Sequence, residues 1–341
     1  MWRLTTGTIF SIVPYRLNNY ASFMSQSKMT NTVRKLLLVG PPQSEVPAGG
    51  LFIDIAQCLS IVNRKSYRQG MNYAISSMKV YAIDSGSVMI NILPNNWCMD
   101  NSTTKMFELW KDQRAEVLKE SPSLKAKWSD FKVFMNAAHA ALGVSANLTP
   151  VDPVSATPYL LGEWAASEIT TPVDGGATGA AHQSTIHVVG DNVPAGVFQP
   201  GVTTSVGAIQ QYADSRALVQ SPDPVPQPGG VFTETVFNIT SSHDEMAEAI
   251  MNDTTFQNDT PPYNRNNYPG AANQPYFELV DLATLNNYGD ATSFSTYTVG
   301  PFVPALGLIH VLPNMNNNAN VTFEIDLVPG KYKGVLAERG L

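Results

Sequence analysis

The chain has 341 residues and a formal net charge of −7, a length that suits one large β domain or two domains of ordinary size. Charged residues make up only 14% of it, and its 24 glycines and 24 prolines favour turns and long loops over helices. No run of about 18 apolar residues is present, so no membrane-spanning helix is expected. Cys58 and Cys98 show no paired spacing, which argues against a disulfide framework or a zinc site and predicts buried free thiols.

Charge is distributed unevenly along the chain. Residues 1–132 hold 16 Lys and Arg against 9 Asp and Glu, whereas residues 133–330 hold 2 against 18. The last eleven residues are basic again, with 3 against 1. Such asymmetry predicts two surfaces in different electrostatic surroundings, one able to face polyanions and one that repels them.

The N-terminal segment, residues 1–50, is predicted to be an extended basic arm, because it lacks sustained periodicity and ends in Pro- and Gly-rich turn signals. Basic side chains on such a segment neutralise phosphates without reading a base sequence, and Tyr67 is an aromatic ring able to stack on an unpaired base. The alternative is an ordinary solvated basic surface. The predicted nucleic-acid-binding residues are Arg16, Lys28, Arg34, Lys35, Arg64, Lys65 and Arg68.

Ordered structure is predicted to begin near residue 51, where Leu51, Ile53 and Ile55 alternate as in a strand. Residues 74–83 and 88–93 alternate around an Asp-Ser-Gly-Ser turn and predict a β-hairpin. The period then changes to three or four residues over 103–121, which predicts a helix with an N-cap within 102–104.

The rest of the chain is predicted to hold short strands between long loops. Residues 128–135 have strand composition, a short helix is predicted over 244–251, and the loops are Gly-, Pro- or Asn-rich. The further predicted strands are 159–169, 185–189, 231–239, 276–282, 292–299, 307–312 and 321–327, and the loops are 175–181, 221–230 and 260–275.

Many short strands, one substantial helix and no βαβ alternation together predict an all-β protein. The architecture that best fits the length is an eight-stranded antiparallel jelly-roll sandwich with long decorated loops and one or two short helices. It would form a single domain over residues 51–341, after the arm, with loop insertions at about 170–275.

Enzyme signatures are missing from the sequence: it has no phosphate-binding Gly loop, no dinucleotide fingerprint, no nucleophile elbow and no paired-histidine zinc motif. Glu324 and Asp326 project from one face of a predicted strand, and a glycosidase could use such a pair, although a solvated strand face is the simpler interpretation. We therefore expect no enzyme activity, no cofactor and no metal. Six N-glycosylation triplets, at Asn101, Asn147, Asn238, Asn252, Asn258 and Asn320, instead suggest an alternative, a secreted β-sandwich adhesin or glycan-binding module.

Two parts of the chain resemble a known family. Residues 128–135 (WSDFKVFM), preceded by 93–97 (LPNNW), and the ending 307–309 (GLI) with 323–339 (FEIDLVPGKYKGVLAER) are similar to capsid proteins of circular Rep-encoding single-stranded DNA viruses. The resemblance covers about a quarter of the chain. It implies a single jelly roll, usually in sixty copies in a small icosahedral shell, with a basic N-terminal arm on the genome and variable loops outward.

The arm departs from the family pattern, because its basic residues are sparse and do not form a dense Arg/Lys tract; a true start at Met29 would explain this. The sequence as a whole predicts a capsid protein located in the virion, with a homo-oligomer, a single-stranded genome and an unidentified host receptor as partners and no membrane. The predicted subunit-interface aromatics are Tyr263, Tyr268, Tyr276 and Phe277. The acidic loops around Asp174, Asp191, Asp214 and Asp223 would face outward.

Overall fold

A computed structural model describes residues 31–126, 129–155, 157–172, 181–219, 264, 267–286 and 294–341. The strand predicted over 231–239 and the helix predicted over 244–251 lie outside the described residues. So do Arg16, Lys28 and Tyr263.

Within these residues the chain forms sixteen strands and four α-helices. The strands are β1 (Lys35–Pro42), β2 (Leu51–Asp54), β3 (Met71–Tyr73), β4 (Ile75–Ala82), β5 (Gly86–Ile92), β6 (Phe134–Asn136), β7 (Glu168–Pro172), β8 (Ala181–Val189), β9 (Ser205–Gly207), β10 (Glu278–Leu285), β11 (Ser295–Val299), β12 (Leu308–Met315), β13 (Asn320–Leu327), β14 (Pro329–Gly330), β15 (Gly334–Val335) and β16 (Ala337–Arg339). The helices are α1 (Ile55–Asn63), α2 (Trp97–Glu120), α3 (Ala137–Leu142) and α4 (Ala208–Val219).

Two antiparallel four-stranded sheets form a sandwich, as the predicted all-β class requires. The first sheet has the strand order β1-β13-β4-β11 and the second β10-β5-β12-β2. Along β13 every second side chain is buried, because one face of the strand packs on the core and the other faces solvent. The core between the sheets includes Leu36, Val80 and Phe323 from the first and Ile53, Ile90 and Ile309 from the second.

Successive sandwich strands run in alternate directions, so the connections fall at two opposite ends. At one end, hydrogen bonds join the short β4–β5 and β12–β13 turns, with Asn317 Nδ2 donating to Asp84 Oδ2 at 2.6 Å. The opposite end, which we call the insertion end, carries the start of β1, the α1 connection, the long β5–β10 connection and the C-terminal tail. There the Thr32 hydroxyl donates to the carbonyl of Lys333 at 2.8 Å.

The β5–β10 connection, residues 93–277, is a large insertion with a core of its own. It carries α2, α3 and α4 and a small sheet in which β8 pairs with β7 antiparallel and with β6 and β9 in parallel. Its buried residues, among them Met135, Ile186 and Phe198, form one cluster with Phe52 of β2 and Leu308 of β12. The insertion therefore packs on the second sheet, and it begins at about residue 93, well before the predicted 170.

Several sequence predictions need correction. Within the described residues, the strands predicted over 128–135 and 159–169 overlap β6 and β7 only at their last two residues. The arm does not extend to residue 50, because Lys35–Pro42 form β1 and pair with β13. The hairpin over 74–93 is wrong, since β4 belongs to the first sheet and β5 to the second. Four helices are present in the described residues, and three of them, α1, α3 and α4, were not predicted.

Local chemistry explains the missed helix boundaries. The Asp54 carboxylate caps α1 by accepting from the Gln57 amide at 3.1 Å. The next five side chains, residues 55–59, are all buried, so the helix shows no amphipathic period and Ile55 continues the alternation of the preceding strand. Helix α2 begins at Trp97, earlier than expected, because Asn96 Oδ1 accepts from the Met99 amide at 3.0 Å.

Candidate nucleic-acid interface

Three chain segments that are far apart in sequence adjoin at the insertion end: residues 31–34, 60–68 and 328–333. The backbone of Val33 exchanges two hydrogen bonds with the Asn63 side chain, at 2.8 and 3.0 Å. The Tyr67 hydroxyl donates to the carbonyl of Lys333 at 2.9 Å. These contacts fix the start of β1, the turn after α1 and the C-terminal tail against one another.

The adjoining segments carry six cations and no carboxylate. Five of the six side chains are exposed, and Lys65 is half-buried. Of these six side chains, only Arg68 forms an ion pair with a described residue, a long contact of 3.8 Å to Asp130. We call this set the basic cluster; it consists of Arg34, Arg64, Lys65, Arg68, Lys331 and Lys333.

Helix α1 positions two members of the cluster. Arg64 follows the last residue of the helix in a left-handed backbone conformation, with φ of 51°. Lys65 Nζ donates to the Asn31 carbonyl at 3.1 Å, next to the point where the arm joins the sandwich. Cations are favourable at a helix C-terminus, because the unpaired carbonyls there carry partial negative charge.

Burial and the neighbouring cations of the cluster act in the same direction on the pKa of Lys333. Burial together with the positive charges of Arg68 and Lys65 lowers the pKa of Lys333, against the opposing effect of Asp130. Its ammonium lies 5.6 Å from the ring centre of Tyr67 and 5.5 Å from that of Tyr332, and it donates to the Ser66 carbonyl. A polyanion in this place would relieve the repulsion between the three cations.

Lys35 is among the predicted nucleic-acid-binding residues, but it does not belong to the basic cluster. Its ammonium contacts Glu324 at 2.8 Å and Asp326 at 3.6 Å on the neighbouring strand β13. The hydrogen bond to Glu324 is the main cause that raises the pKa of Lys35. The same contacts occupy the two carboxylates that the sequence offered as a glycosidase pair.

Tyr67 lies with its ring in the sandwich core, where its exposed fraction is 0%. The predicted stacking of this ring on a base is therefore wrong for the folded chain.

The sequence analysis did not include Lys331 and Lys333 among the predicted binding residues. The basic ending of the sequence contained the signal, but only the fold brings that ending beside α1.

The predicted interface aromatics have different environments. Tyr268 is fully buried inside the insertion, with its ring centre 5.3 Å from that of Trp97, so its assignment to a subunit interface is wrong. Phe277 is half-buried against His310, with 4.9 Å between ring centres. Tyr276 is 71% exposed and remains available for contact.

Two of the four acidic positions predicted to face outward, Asp191 and Asp214, lie within the described residues. Both lie in other elements than the basic cluster. Asp191 follows β8 and accepts a hydrogen bond from the Gly196 amide at 3.0 Å, and Asp214 lies on α4 and accepts from Gln210 at 2.9 Å. Asp174 and Asp223 lie outside the described residues.

The glycosylation triplet at Asn147 is inaccessible, because its amide is buried and bonded to His139 and Gln57. Both cysteines are buried, as predicted.

Searches of protein-family models, of curated proteins and of solved structures return no match for this chain. Within the described residues no group of three or more His, Cys, Asp or Glu side chains is arranged to hold a metal ion. No described helix combines the length and the apolar character needed to cross a membrane.

Proposed function

We propose that the protein is a viral capsid subunit whose sandwich is a jelly roll. Strand order supports this: if the eight sandwich strands β1, β2, β4, β5, β10, β11, β12 and β13 are lettered B to I, the sheets have the orders B-I-D-G and F-E-H-C. Those two orders are the ones that a double Greek key wound into a jelly roll produces. Such a fold also serves other functions, so the site has to supply the rest of the argument.

The basic cluster is the observation on which the genome-binding part of the proposal rests. It lies where the arm enters the sandwich, and Lys28 is only three residues from Asn31 in the sequence. Cluster and arm together neutralise the phosphates of a single strand without reading its bases. The insertion end then faces the inside of the shell.

An exposed apolar row supports self-assembly. On the outer face of the second sheet, Met89 pairs in register with Leu282 on one side and with Leu312 on the other. These side chains are 38%, 47% and 38% exposed. A second copy that covered the row would remove this apolar surface from water, and a closed symmetric shell provides that contact for every subunit.

The test combines electron microscopy of the purified full-length protein with single-stranded DNA binding at several salt concentrations. The proposal expects closed particles and an affinity that falls steeply with salt. Replacing Arg64, Lys65 and Arg68 together by alanine removes three phosphate contacts and lowers the log–log salt slope by about 2. A protein that stays monomeric with and without DNA would contradict the proposal.

The matched control replaces Lys111, Lys119 and Lys125 by alanine. These three exposed lysines lie on and after α2, and the change in net charge is the same. If the control lowers the slope as much as the cluster variant does, binding follows net charge alone and the cluster has no special part in it.

A further inference from the structure

A cleft of about 240 Å³ opens beside the basic cluster, between the end of α1 and the loop at residues 161–164. Its walls combine an indole ring, apolar side chains, two hydroxyls, two cations and one carboxylate. The lining residues are Ser60, Ile61, Arg64, Lys65, Ser66, Leu161, Gly162, Glu163 and Trp164.

The indole is held in place before any ligand arrives. Trp164 Nε1 donates to the buried Asp54 carboxylate at 3.2 Å, and the Lys132 ammonium lies 4.3 Å from the centre of the ring system. Asp54 is itself fixed, because it caps α1 and accepts from Gln69 Nε2 at 3.1 Å. A ring with so little freedom loses little entropy when a flat ligand stacks on it.

The cleft therefore offers a flat aromatic wall next to two cations, which is the pairing that an unpaired nucleotide requires. We propose that it binds one nucleotide of a single strand, with the base against Trp164 and the phosphate at Arg64 and Lys65. This inference rests on the proposed genome packaging and adds a defined base-binding position to it. Stacking tolerates every base, so the site holds the strand without selecting a sequence.

Glu163 is the one carboxylate among the lining residues, and it gives the cleft a testable signature. Its charge repels a phosphate that approaches Arg64 and Lys65. Glu163→Gln keeps the size of the side chain and removes that repulsion, so it tightens binding of the oligonucleotide dT5 about two- to fivefold at low salt. The ring donor of an unpaired thymine is N3–H, and the side-chain oxygen of Gln can accept from it as a carboxylate oxygen does, so the substitution removes no acceptor that the base needs.

The matched control is Glu168→Gln, an exposed carboxylate on β7 that does not line the cleft. We expect its dT5 affinity to equal that of the unaltered chain. Equal affinities for all three proteins, or an equal gain for both variants, would overturn the nucleotide site.

Photo-crosslinking tests the stacking partner directly. Full-length protein is irradiated with dT5 that carries 5-iodouracil, and digestion after glutamate then releases residues 164–168 as one short peptide. The proposal expects a crosslink to Trp164 in this peptide. Bound oligonucleotide that crosslinks only elsewhere would refute the cleft and leave genome packaging standing, whereas no binding of dT5 at all would remove both.

A competition experiment distinguishes binding of a strand from binding of a free nucleotide. Thymidine monophosphate at the same nucleotide concentration should leave the Trp164 crosslink unchanged, because it lacks the neighbouring phosphates that the rest of the cluster holds. Displacement at equal concentration would identify a free nucleotide as the ligand and would contradict the proposed strand.

Discussion

Acid should weaken this fold through His139, which is locked in its neutral form. Its ring stacks on Phe52 with centres 3.9 Å apart and meets Phe134 edge-on at 4.9 Å. Nδ1 accepts from the Met135 amide at 3.2 Å, and Nε2 lies 2.7 Å from Asn147 Oδ1. Both ring nitrogens are therefore engaged in the neutral tautomer, and a proton on Nδ1 would face an N–H donor.

Burial is the main cause that lowers the pKa of His139 from 6.5 to about 4, and His310 acts in the same direction. The unfolded chain thus takes up a proton between pH 6.5 and pH 4 that the folded chain refuses. The corresponding stability is complete above pH 6.5 and is lost as the pH falls toward 4. These two pKa values give a loss of about 2 to 3 kcal/mol between pH 7.5 and pH 4.5 for this one group.

The assay measures the free energy of unfolding in urea at both pH values, for the unaltered chain and for His139→Gln. The variant is less stable at pH 7.5, because it loses the stacked ring, but its change in stability between the two pH values should be about 2 to 3 kcal/mol smaller. All other titrating groups are common to both proteins and cancel in this double difference. An identical change in both proteins would refute the claim that His139 is held neutral.

Three further predictions concern the core, a second buried titratable group and the proposed shell contact. Tyr268→Ala should lower the free energy of unfolding by about 3 to 5 kcal/mol, as for other buried aromatics, whereas Tyr276→Ala should change it by less than about 0.5 kcal/mol in the same urea titration. Burial raises the pKa of Asp54 to about 6, so its ionisation weakens the fold as the pH rises from about 4 to 6, and Asp54→Asn should abolish this opposite pH dependence. Met89→Lys should leave the melting temperature nearly unchanged and prevent particle formation in electron micrographs, while Val117→Lys, at an exposed position of α2, should still assemble.

The sequence predicts best those elements in which one face meets solvent and the other meets the core. Strand β13 was predicted over 321–327 and spans Asn320–Leu327, because its alternation is uninterrupted. Helix α1 has no such contrast, since half of it is buried on every side. The two sheets also could not be separated from local pattern, because the short turn after β4 looks the same whether the next strand pairs with it or crosses to the other sheet.

The sequence predicts several of the basic residues of the site, but it does not predict which of them lie together. Local basic density found Arg64, Lys65 and Arg68, which lie within five residues of one another. The partner that neutralises Lys35 is Glu324, 289 residues further on, and the tail that adds Lys331 and Lys333 is equally remote. Pairings at such separation depend on the strand order of the sheets, and no periodicity encodes that order.

The strand order also explains why basic residues from separate parts of the sequence lie together at one end of the molecule. Helix α2 lies in the basic part of the sequence, yet its four Lys and Arg face five Asp and Glu, and two of the lysines bond carboxylates on the preceding turn. The excess positive charge of the described N-terminal part is therefore not on this helix. It is concentrated where antiparallel winding returns the chain to the insertion end, after α1 and again after β13. A sandwich wound with these segments at opposite ends would have the same composition and no basic cluster, so the winding itself creates the surface on which a polyanion can lie.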